Sequence, residues 1–180
     1  MRRLADRSLI QRFINSLAVR AKREARLYFT GGATAVLLGW RGSTIDVDIL
    51  LVPEDDALLR ALPELKEQLQ INVELACPAH FIPELPGWEA RSRFITHEGQ
   101  LSFFHYDLYA QALAKIERGH ALDVSDVQEM FRRGLIEPAQ LRRFFEEISP
   151  QLYRYPAIDP KTFREVVEKT IDSFEKSQPD

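Results

Sequence analysis

The sequence has very little cysteine and no long apolar run. Cys77 is the only cysteine among 180 residues, which excludes an internal disulfide and a zinc site built from several cysteines. We interpret Cys77 as a small core residue, with a reactive thiol as the alternative. No segment reaches the ~20 apolar residues that a membrane-spanning helix needs, and the opening MRRLADRSLIQRF does not have the pattern of a secretory signal. The sequence therefore predicts a cytoplasmic protein without a membrane segment.

Internal repeats and low-complexity linkers are also absent from the sequence. Because 45% of the residues are hydrophobic, the chain can bury a substantial core. All predicted strands lie before residue 107, and only helices are predicted after it. We predict an α/β (α+β) fold with two regions. Residues 1–106 form a small mixed-sheet core with flanking helices and a basic N-terminal helix, and the helical region 107–180 packs on this core.

Positive charge is concentrated at the start of the chain. The net charge is −3, yet residues 1–26 contain eight Arg or Lys against two acidic residues. Apolar residues recur there at the spacing of one helix face, which predicts an amphipathic helix with the basic groups on its outer side. That face is either simply solvated or attracts a polyanion such as RNA. The apolar positions are Leu9, Ile10, Phe13, Ile14, Leu17, Ala18, Ala21 and Ala25.

The next fifty residues have the pattern of a βαβαβ segment. Apolar runs rich in β-branched and aromatic residues predict strands, and glycine or proline marks their ends. The strands are LYFT (27–30), TIDVDILLV (44–52) and INVELA (71–76), and the helices are ATAVLL (33–38) and residues 54–69 with an interruption at Pro63.

The remaining chain combines a loop, a hairpin and helices. Prolines in residues 77–92 predict an ordered loop anchored by large apolar residues, and RFITH and QLSFFHY predict a hairpin that turns at Glu98 and Gly99. SDVQ at 125–128 has the form of a capping box. Gly134 predicts a helix end, and Asp159 with Pro160 predicts a helix start. The loop anchors are Phe81, Ile82, Leu85 and Trp88.

Two aspartates, Asp46 and Asp48, interrupt an otherwise apolar strand. Residues i and i+2 face the same side of a strand, so both carboxylates project together. Carboxylates this close repel each other unless a positive charge lies between them, and a hard divalent cation supplies that charge. Glu74 completes a set of three acids if its strand is the neighbour, and such a set suits one or two Mg²⁺ ions. The residues expected to face the core are Ile45, Val47 and Ile49, and the apolar face of the strand that carries Glu74 is expected to consist of Ile71, Val73 and Leu75.

Gly31 and Gly32 stand where a predicted strand meets a predicted helix. The absence of side chains there lets backbone N–H groups approach a phosphate closely. The alternative is that the glycines only form a tight turn and that Asp46 and Asp48 are exposed on an edge strand. The thirteen residues between Gly32 and Asp46, together with the apolar residues around the aspartates, make the combination more specific than either motif alone.

This combination, FTGG followed by the gap, IDVDI and the acid of NVEL, resembles the nucleotidyltransferase superfamily in its minimal form with a DNA polymerase beta-like fold. The resemblance covers residues 27–76. More weakly, QALAKIERGHALDVSDVQEM (111–130) is similar to a helical segment of the nucleotidyltransferases found in bacterial abortive-infection and toxin–antitoxin modules.

The resemblance implies transfer of a nucleoside monophosphate from an NTP such as ATP to a hydroxyl of an acceptor, with Mg²⁺ (or Mn²⁺) as cofactor. The acceptor would be RNA, for example tRNA, or a protein, and the enzyme would belong to a toxin–antitoxin pair or a phage-defence module with a partner protein. The alternatives are a catalytically silent nucleotide-fold binding protein or antitoxin, and an RNA-binding module that uses the basic first helix.

The resemblance also implies roles for individual residues. Gly31 and Gly32 would hold the triphosphate with help from Ser43. Asp46 and Asp48 would bind the metals, and Glu74 would bind the nucleophile's metal or act as the base.

Four further positions have open interpretations. Lys115 and Arg118 lie three apart on a predicted helix and would contact phosphate, or they belong to a solvated basic face. Arg41 contacts phosphate or is solvated. Asp123 and Asp126 match the acidic end of the similar helical segment, and we expect them to act in capping and structural pairing. The four histidines lack a metal-binding spacing, so we interpret them as ordinary surface or loop residues.

Overall fold

The computed structural model describes residues 2–178, and the chain divides into two compact units. The first unit runs through Cys77 and resumes at Ser92–Tyr106. The second comprises Pro78–Arg91 and the chain from Asp107 onward, a division that adds residues 78–91 to the helical part that the sequence indicates from residue 107. In residues 2–178, no helix combines the length and the apolar character needed to cross a membrane.

From residue 2 onward, the first unit contains a mixed five-stranded sheet, a two-stranded ribbon and three helices. The five strands lie in the order β5-β4-β2-β7-β6, and β1 pairs with β3. In chain order the elements are β1 (Ala5–Asp6), α1 (Arg7–Ala18), β2 (Ala25–Thr30), α2 (Gly31–Leu38), β3 (Ser43–Thr44), β4 (Asp46–Val52), α3 (Asp56–Leu69), β5 (Asn72–Leu75), β6 (Arg93–Glu98) and β7 (Leu101–His105).

The three predicted strands of residues 27–76 therefore belong to one sheet, as expected. Strand β2 is antiparallel to β4 and parallel to β7, β4 is parallel to β5, and β6 is antiparallel to β7. One face of this sheet packs on the apolar sides of α1 and α3. The core includes Phe13, Leu27, Phe29, Val47, Ile49, Leu58, Leu65 and Phe103.

The N-terminal helix is shorter than predicted. Helix α1 ends at Ala18, because the chain turns there and Ala25 already belongs to β2. Asp6 begins the helix, since its carboxylate accepts the backbone N–H of Leu9 at 2.8 Å. The basic residues of the segment consequently do not share one helix face.

Three other local expectations were wrong. Helix α3 continues through Pro63, because its buried leucine face packs in the core while the proline is on the exposed side. Ile45 is 69% exposed and Leu75 is 54% exposed. Both follow from position: Ile45 precedes β4, and Leu75 ends an edge strand. Val47 and Ile49 are buried, as predicted.

The second unit is helical. Pairs of aromatic side chains hold its core, among them Phe145 with Phe163 and Phe131 with Phe174. Its elements are a 3₁₀ turn (Pro78–His80), α4 (Trp88–Arg91), α5 (Leu108–Arg118), α6 (Ala121–Arg132), α7 (Pro138–Ile148), a second 3₁₀ turn (Ser149–Arg154) and α8 (Pro160–Lys176).

Several sequence signals of the second unit are confirmed. Asp159 caps α8 by accepting the N–H of Thr162 at 3.2 Å, and Gly134 adopts a positive φ just after α6. The capping box expected at 125–128 was wrong, because these residues lie inside α6. Among the predicted loop anchors, Phe81 is 50% exposed, whereas the other three are buried.

Candidate functional site

The two strand aspartates lie on the face of β4 opposite the core. Burial alternates along the strand, so Asp46 and Asp48 are both half-buried while Val47 and Ile49 are fully buried. The alternation follows from the two-residue period of a strand. Both carboxylates consequently point to the same side of the sheet, as the sequence predicts.

Glu74 lies beside Asp48 on the same face. In the parallel pairing of β4 with β5, Asp48 is the register partner of Glu74, and Asp46 is the partner of Asn72. Register partners in neighbouring strands present their side chains on one face of the sheet. The prediction that the three acids share one face is therefore confirmed.

Asn72 connects two of these acids. Its side-chain N–H₂ group donates to Asp46 Oδ1 at 2.6 Å and to Glu74 Oε1 at 2.9 Å. Its carbonyl oxygen accepts from Arg2 Nη1 at 2.8 Å, and Arg2 also pairs with Glu67 at 3.0 Å. All three polar groups of the amide are thus used, and the Arg2 contact places the N–H₂ group toward the acids.

The donors on this face suit a hard divalent cation, although three ligands are not gathered in advance. Within residues 2–178, no three His, Cys, Asp or Glu side chains form a group that could hold a metal ion. The second oxygens of Asp46 and Glu74 make no hydrogen bond within that range. The carboxylate oxygens of the two half-buried aspartates are suitable ligands for Mg²⁺ or Mn²⁺. Glu74 is instead linked to Asp46 through hydrogen bonds from the Asn72 amide.

Gly31 lies directly against Asp48. Its φ of +62° is in the left-handed region, where glycine is favoured, and a Cβ placed on Gly31 would lie 2.8 Å from Asp48 Oδ2. Helix α2 begins at Gly31, and the side chain of its N-cap residue, Thr30, makes no capping hydrogen bond. The glycine turn and the aspartate pair are therefore immediate neighbours.

Gly32 makes room for Thr44 and Arg41. A Cβ on Gly32 would lie 2.0 Å from Thr44 Oγ1 and 3.4 Å from Arg41 Nη1. The Thr44 hydroxyl donates to the backbone carbonyl of Asp46 at 3.0 Å. Thr44 therefore links the glycine turn to the first aspartate, and the Arg41 guanidinium lies at the edge of the turn.

Ser43 lies in the short strand β3, where it is half-buried and pairs with Asp6 of β1. This pairing ties Ser43 and the following residue, Thr44, to β1. Its predicted contact with phosphate remains a prediction.

A buried histidine lies behind the glycine turn. His105 ends β7 beside Phe29 and is 4% exposed, which corrects its interpretation as a surface or loop residue. Its Nδ1 lies 3.1 Å from Thr34 Oγ1. Because the Thr34 hydroxyl donates to the Phe29 carbonyl, its oxygen accepts from His105, and we assign the imidazole proton to Nδ1.

The surroundings of His105 keep it uncharged. Burial, followed by the positive charges of Arg93 and Arg7, lowers the pKa of His105 to about 4. Thr34 lies in α2, so a neutral imidazole connects β7 to the helix that begins with the two glycines.

Lys115 and Arg118 form ion pairs within the second unit. Lys115 is 5% exposed, and its Nζ lies 2.7 Å from Asp126 Oδ2 and 3.4 Å from Asp123 Oδ1. Arg118 binds both oxygens of Asp123, at 2.7 and 2.6 Å. Burial raises the pKa of Asp123, but the Arg118 hydrogen bonds and the Lys115 charge outweigh burial and leave the pKa below its ordinary value. The phosphate contacts predicted for both cations remain predictions.

Sequence reasoning missed Asn72, Thr44 and the buried position of His105. A signal existed for Asn72, because it stands two residues before Glu74 and so shares its strand face. The role of Thr44 depends on its contact with Gly32, and that of His105 on its contact with Thr34. No local sequence pattern predicts either contact.

A comparison with protein-family models identifies the family of the chain. A family model described as "Nucleotidyltransferase of unknown function (DUF6036)" matches residues 8–175, nearly the whole chain. No curated protein and no solved structure matches the chain significantly.

Proposed function

Because the chain belongs to this family of nucleotidyltransferases, we propose that it transfers a nucleoside monophosphate from an NTP to a hydroxyl of an acceptor in a Mg²⁺-dependent reaction. The observation that carries the proposal is the contact between Gly31 and Asp48. It joins a turn suited to phosphate with a carboxylate suited to a metal, as a metal-bound triphosphate requires.

Asp46 and Asp48 would hold the cation, for which Mn²⁺ is the natural substitute. A divalent cation bound there supplies positive charge that stabilises the triphosphate during in-line displacement. Gly31 and Gly32, where β2 meets α2, would hold the triphosphate, and the Arg41 guanidinium at the edge of the turn and the Ser43 hydroxyl would donate hydrogen bonds to it.

In the proposed reaction, the acceptor hydroxyl oxygen bonds to the α-phosphorus of the NTP. The bond from that phosphorus to the oxygen bridging the α- and β-phosphates breaks, and pyrophosphate leaves with that oxygen. Glu74 accepts the hydroxyl proton on the carboxylate oxygen that Asn72 does not engage. Asn72 meanwhile holds Glu74 and Asp46 in fixed positions.

Of the two helical cations of the second unit, Arg118 is the one that solvent reaches. Its side chain is 51% exposed, whereas that of Lys115 is 6% exposed. Asp123 binds both cations, so Lys115 positions Asp123 and Asp123 orients the Arg118 guanidinium.

Residues 111–130 are similar to a helical segment of toxin–antitoxin and abortive-infection enzymes. We therefore extend the proposal: the enzyme belongs to such a module and acts with a partner protein.

The test is a transfer assay with each NTP labelled at the α-phosphate, Mg²⁺, and total tRNA or cell lysate as the source of acceptors. We expect label to be transferred by the wild type and by Glu54→Gln, a control at an exposed acid beyond the end of β4. Asp46→Asn and Asp48→Asn remove proposed metal ligands and should abolish transfer while the melting temperature stays level or rises.

Binding of NTP by the wild type without any transfer would instead support the catalytically silent binding protein. Undiminished transfer by either aspartate variant would contradict the assignment of the metal site.

A further inference from the structure

A surface cavity of about 590 Å³, wide open to solvent, lies beside the first turns of α1. Four of its lining side chains come from one side of the helix, at positions i, i+1, i+4 and i+5, and Gly42 closes it from the connection between α2 and β3. The lining residues are Asp6, Arg7, Ser8, Gln11, Arg12 and Gly42.

The cavity carries a net positive charge and one available guanidinium. Asp6 uses one carboxylate oxygen to cap α1, and Arg7 donates to the backbone carbonyl of Leu37. Arg12 is exposed and makes no hydrogen bond or ion pair with any residue in the described range. An exposed arginine beside a second arginine, a hydroxyl and an amide is a donor set that suits phosphate oxygens.

The same short segment borders this cavity and the proposed nucleotide site. Gly42 stands between Arg41, whose guanidinium lies at Gly32, and Ser43. A ligand in the cavity would therefore lie next to the residues assigned to the triphosphate. An acceptor held there would reach the nucleotide from the Arg41 and Ser43 side.

We propose that this cavity binds the phosphodiester backbone of an RNA acceptor, with Arg7 and Arg12 on phosphate and Ser8 and Gln11 on phosphate or ribose. The inference rests on the proposed function and specifies its acceptor class. RNA is favoured over a protein acceptor because the lining offers two guanidiniums, a hydroxyl and an amide, and no aromatic or branched aliphatic side chain. Protein interfaces centre on apolar and aromatic anchors, whereas nucleic-acid backbones are held by arginine, hydroxyl and amide groups.

The test compares two charge reversals in the intact chain. Arg12→Glu changes the cavity, and Arg23→Glu makes the same change at an exposed arginine of the same basic segment that does not line the cavity and has no partner in the described range. Binding of a fluorescent single-stranded RNA and of total tRNA is measured without NTP or Mg²⁺, at several salt concentrations. We expect Arg12→Glu to weaken RNA binding at least ~10-fold and to reduce the salt slope by about one. Arg23→Glu should stay within about twofold of the wild type.

Equal losses in both variants would show a diffuse electrostatic attraction and overturn the inference, and so would preferential binding of an acidic peptide. NTP binding is measured in parallel. If Arg12→Glu weakens NTP binding as much as it weakens RNA binding, the cavity is part of the nucleotide site and the inference is overturned. If RNA binds through Arg12 but no nucleotide is transferred, the proposed function fails and the binding site stands. If nucleotide is transferred but the wild type binds no RNA, this inference alone is overturned.

Discussion

The side-chain amide of Asn72 donates a hydrogen bond of 2.6 Å to Asp46 Oδ1. The second N–H of the same group donates to Glu74, so one neutral side chain separates two acids that would otherwise face each other. Arg2 supports the amide from its other side. The Asn72 amide thus reduces the repulsion between Asp46 and Glu74 on one face of the sheet. The second carboxylate oxygen of each acid remains available to other partners.

Replacing Asn72 by Leu keeps the approximate size of the side chain but removes both N–H groups. Without them, Asp46 and Glu74 repel each other, so we expect the metal-free protein to lose ~1–2 kcal/mol of unfolding free energy and several degrees of melting temperature. Added Mn²⁺ should raise the melting temperature more in this variant than in the wild type, because the cation relieves more repulsion. Thermal unfolding with and without Mn²⁺ measures both effects.

The matched control is Asn15→Leu, at an exposed asparagine of α1 outside the acidic face. It should leave the response to Mn²⁺ unchanged. An identical Mn²⁺ response in the wild type and in Asn72→Leu would show that the amide does not affect the metal site.

Gly32→Ala should destabilise the first unit. The new Cβ would lie 2.0 Å from Thr44 Oγ1 and 2.7 Å from Thr44 Cβ, so the strand that leads into Asp46 has to move, at a cost of ~1–3 kcal/mol. Gly42→Ala is the control, because a Cβ there meets nothing within 4 Å. We expect a lower melting temperature and reduced nucleotide binding only for Gly32→Ala. Equal melting temperatures for the two variants would show that Thr44 accommodates the methyl group.

Lys115→Ala should strongly destabilise the helical unit. From sequence alone we expect a loss of nucleotide binding with little change in melting temperature, but Lys115 is buried between Asp126 and Asp123. Removal of one partner from a buried ion pair costs ~3–5 kcal/mol, about 10 °C in a chain of this size. Lys161→Ala, at a side chain that is 86% exposed, should leave the melting temperature nearly unchanged. An unchanged melting temperature in Lys115→Ala would contradict this structural role.

His105 should make the protein less stable in mild acid. Its pKa is about 4 in the folded chain against 6.5 ordinarily, so between pH 6.5 and 4 the unfolded chain binds a proton that the folded chain does not. The free energy of unfolding should therefore fall by up to ~3 kcal/mol across this window. His105→Asn keeps a hydrogen-bonding group near Thr34 and cannot titrate. Melting curves from pH 7 to 4 should show a shallower decline for this variant, and parallel declines would contradict the prediction.

Strand and turn signals were readable from the sequence because they are local. Side chains alternate along any strand, so Asp46 and Asp48 had to share a face whatever lay beside them. Gly31 and Gly32 similarly marked a strand-to-helix turn, and Asp159 with Pro160 marked the start of α8. Local patterns failed at two kinds of position. Ile45 was predicted to be buried but lies just before β4, where the strand alternation does not yet apply. Pro63 was predicted to interrupt a helix, but burial of the apolar face of α3 outweighed the effect of the proline.

By itself, then, the sequence determined the order of the strands along the chain, the shared direction of Asp46 and Asp48, and the two glycines where β2 meets α2, since each depends on residues close together in the chain. Only the tertiary structure decided the partners of those groups. The parallel register of β4 and β5 places Glu74 beside Asp48 and inserts Asn72 between two acids, and the packing of α5 with α6 buries Lys115 among carboxylates. Charge and hydrogen bonding act through space between residues far apart in the chain, so the local pattern around a residue does not specify them.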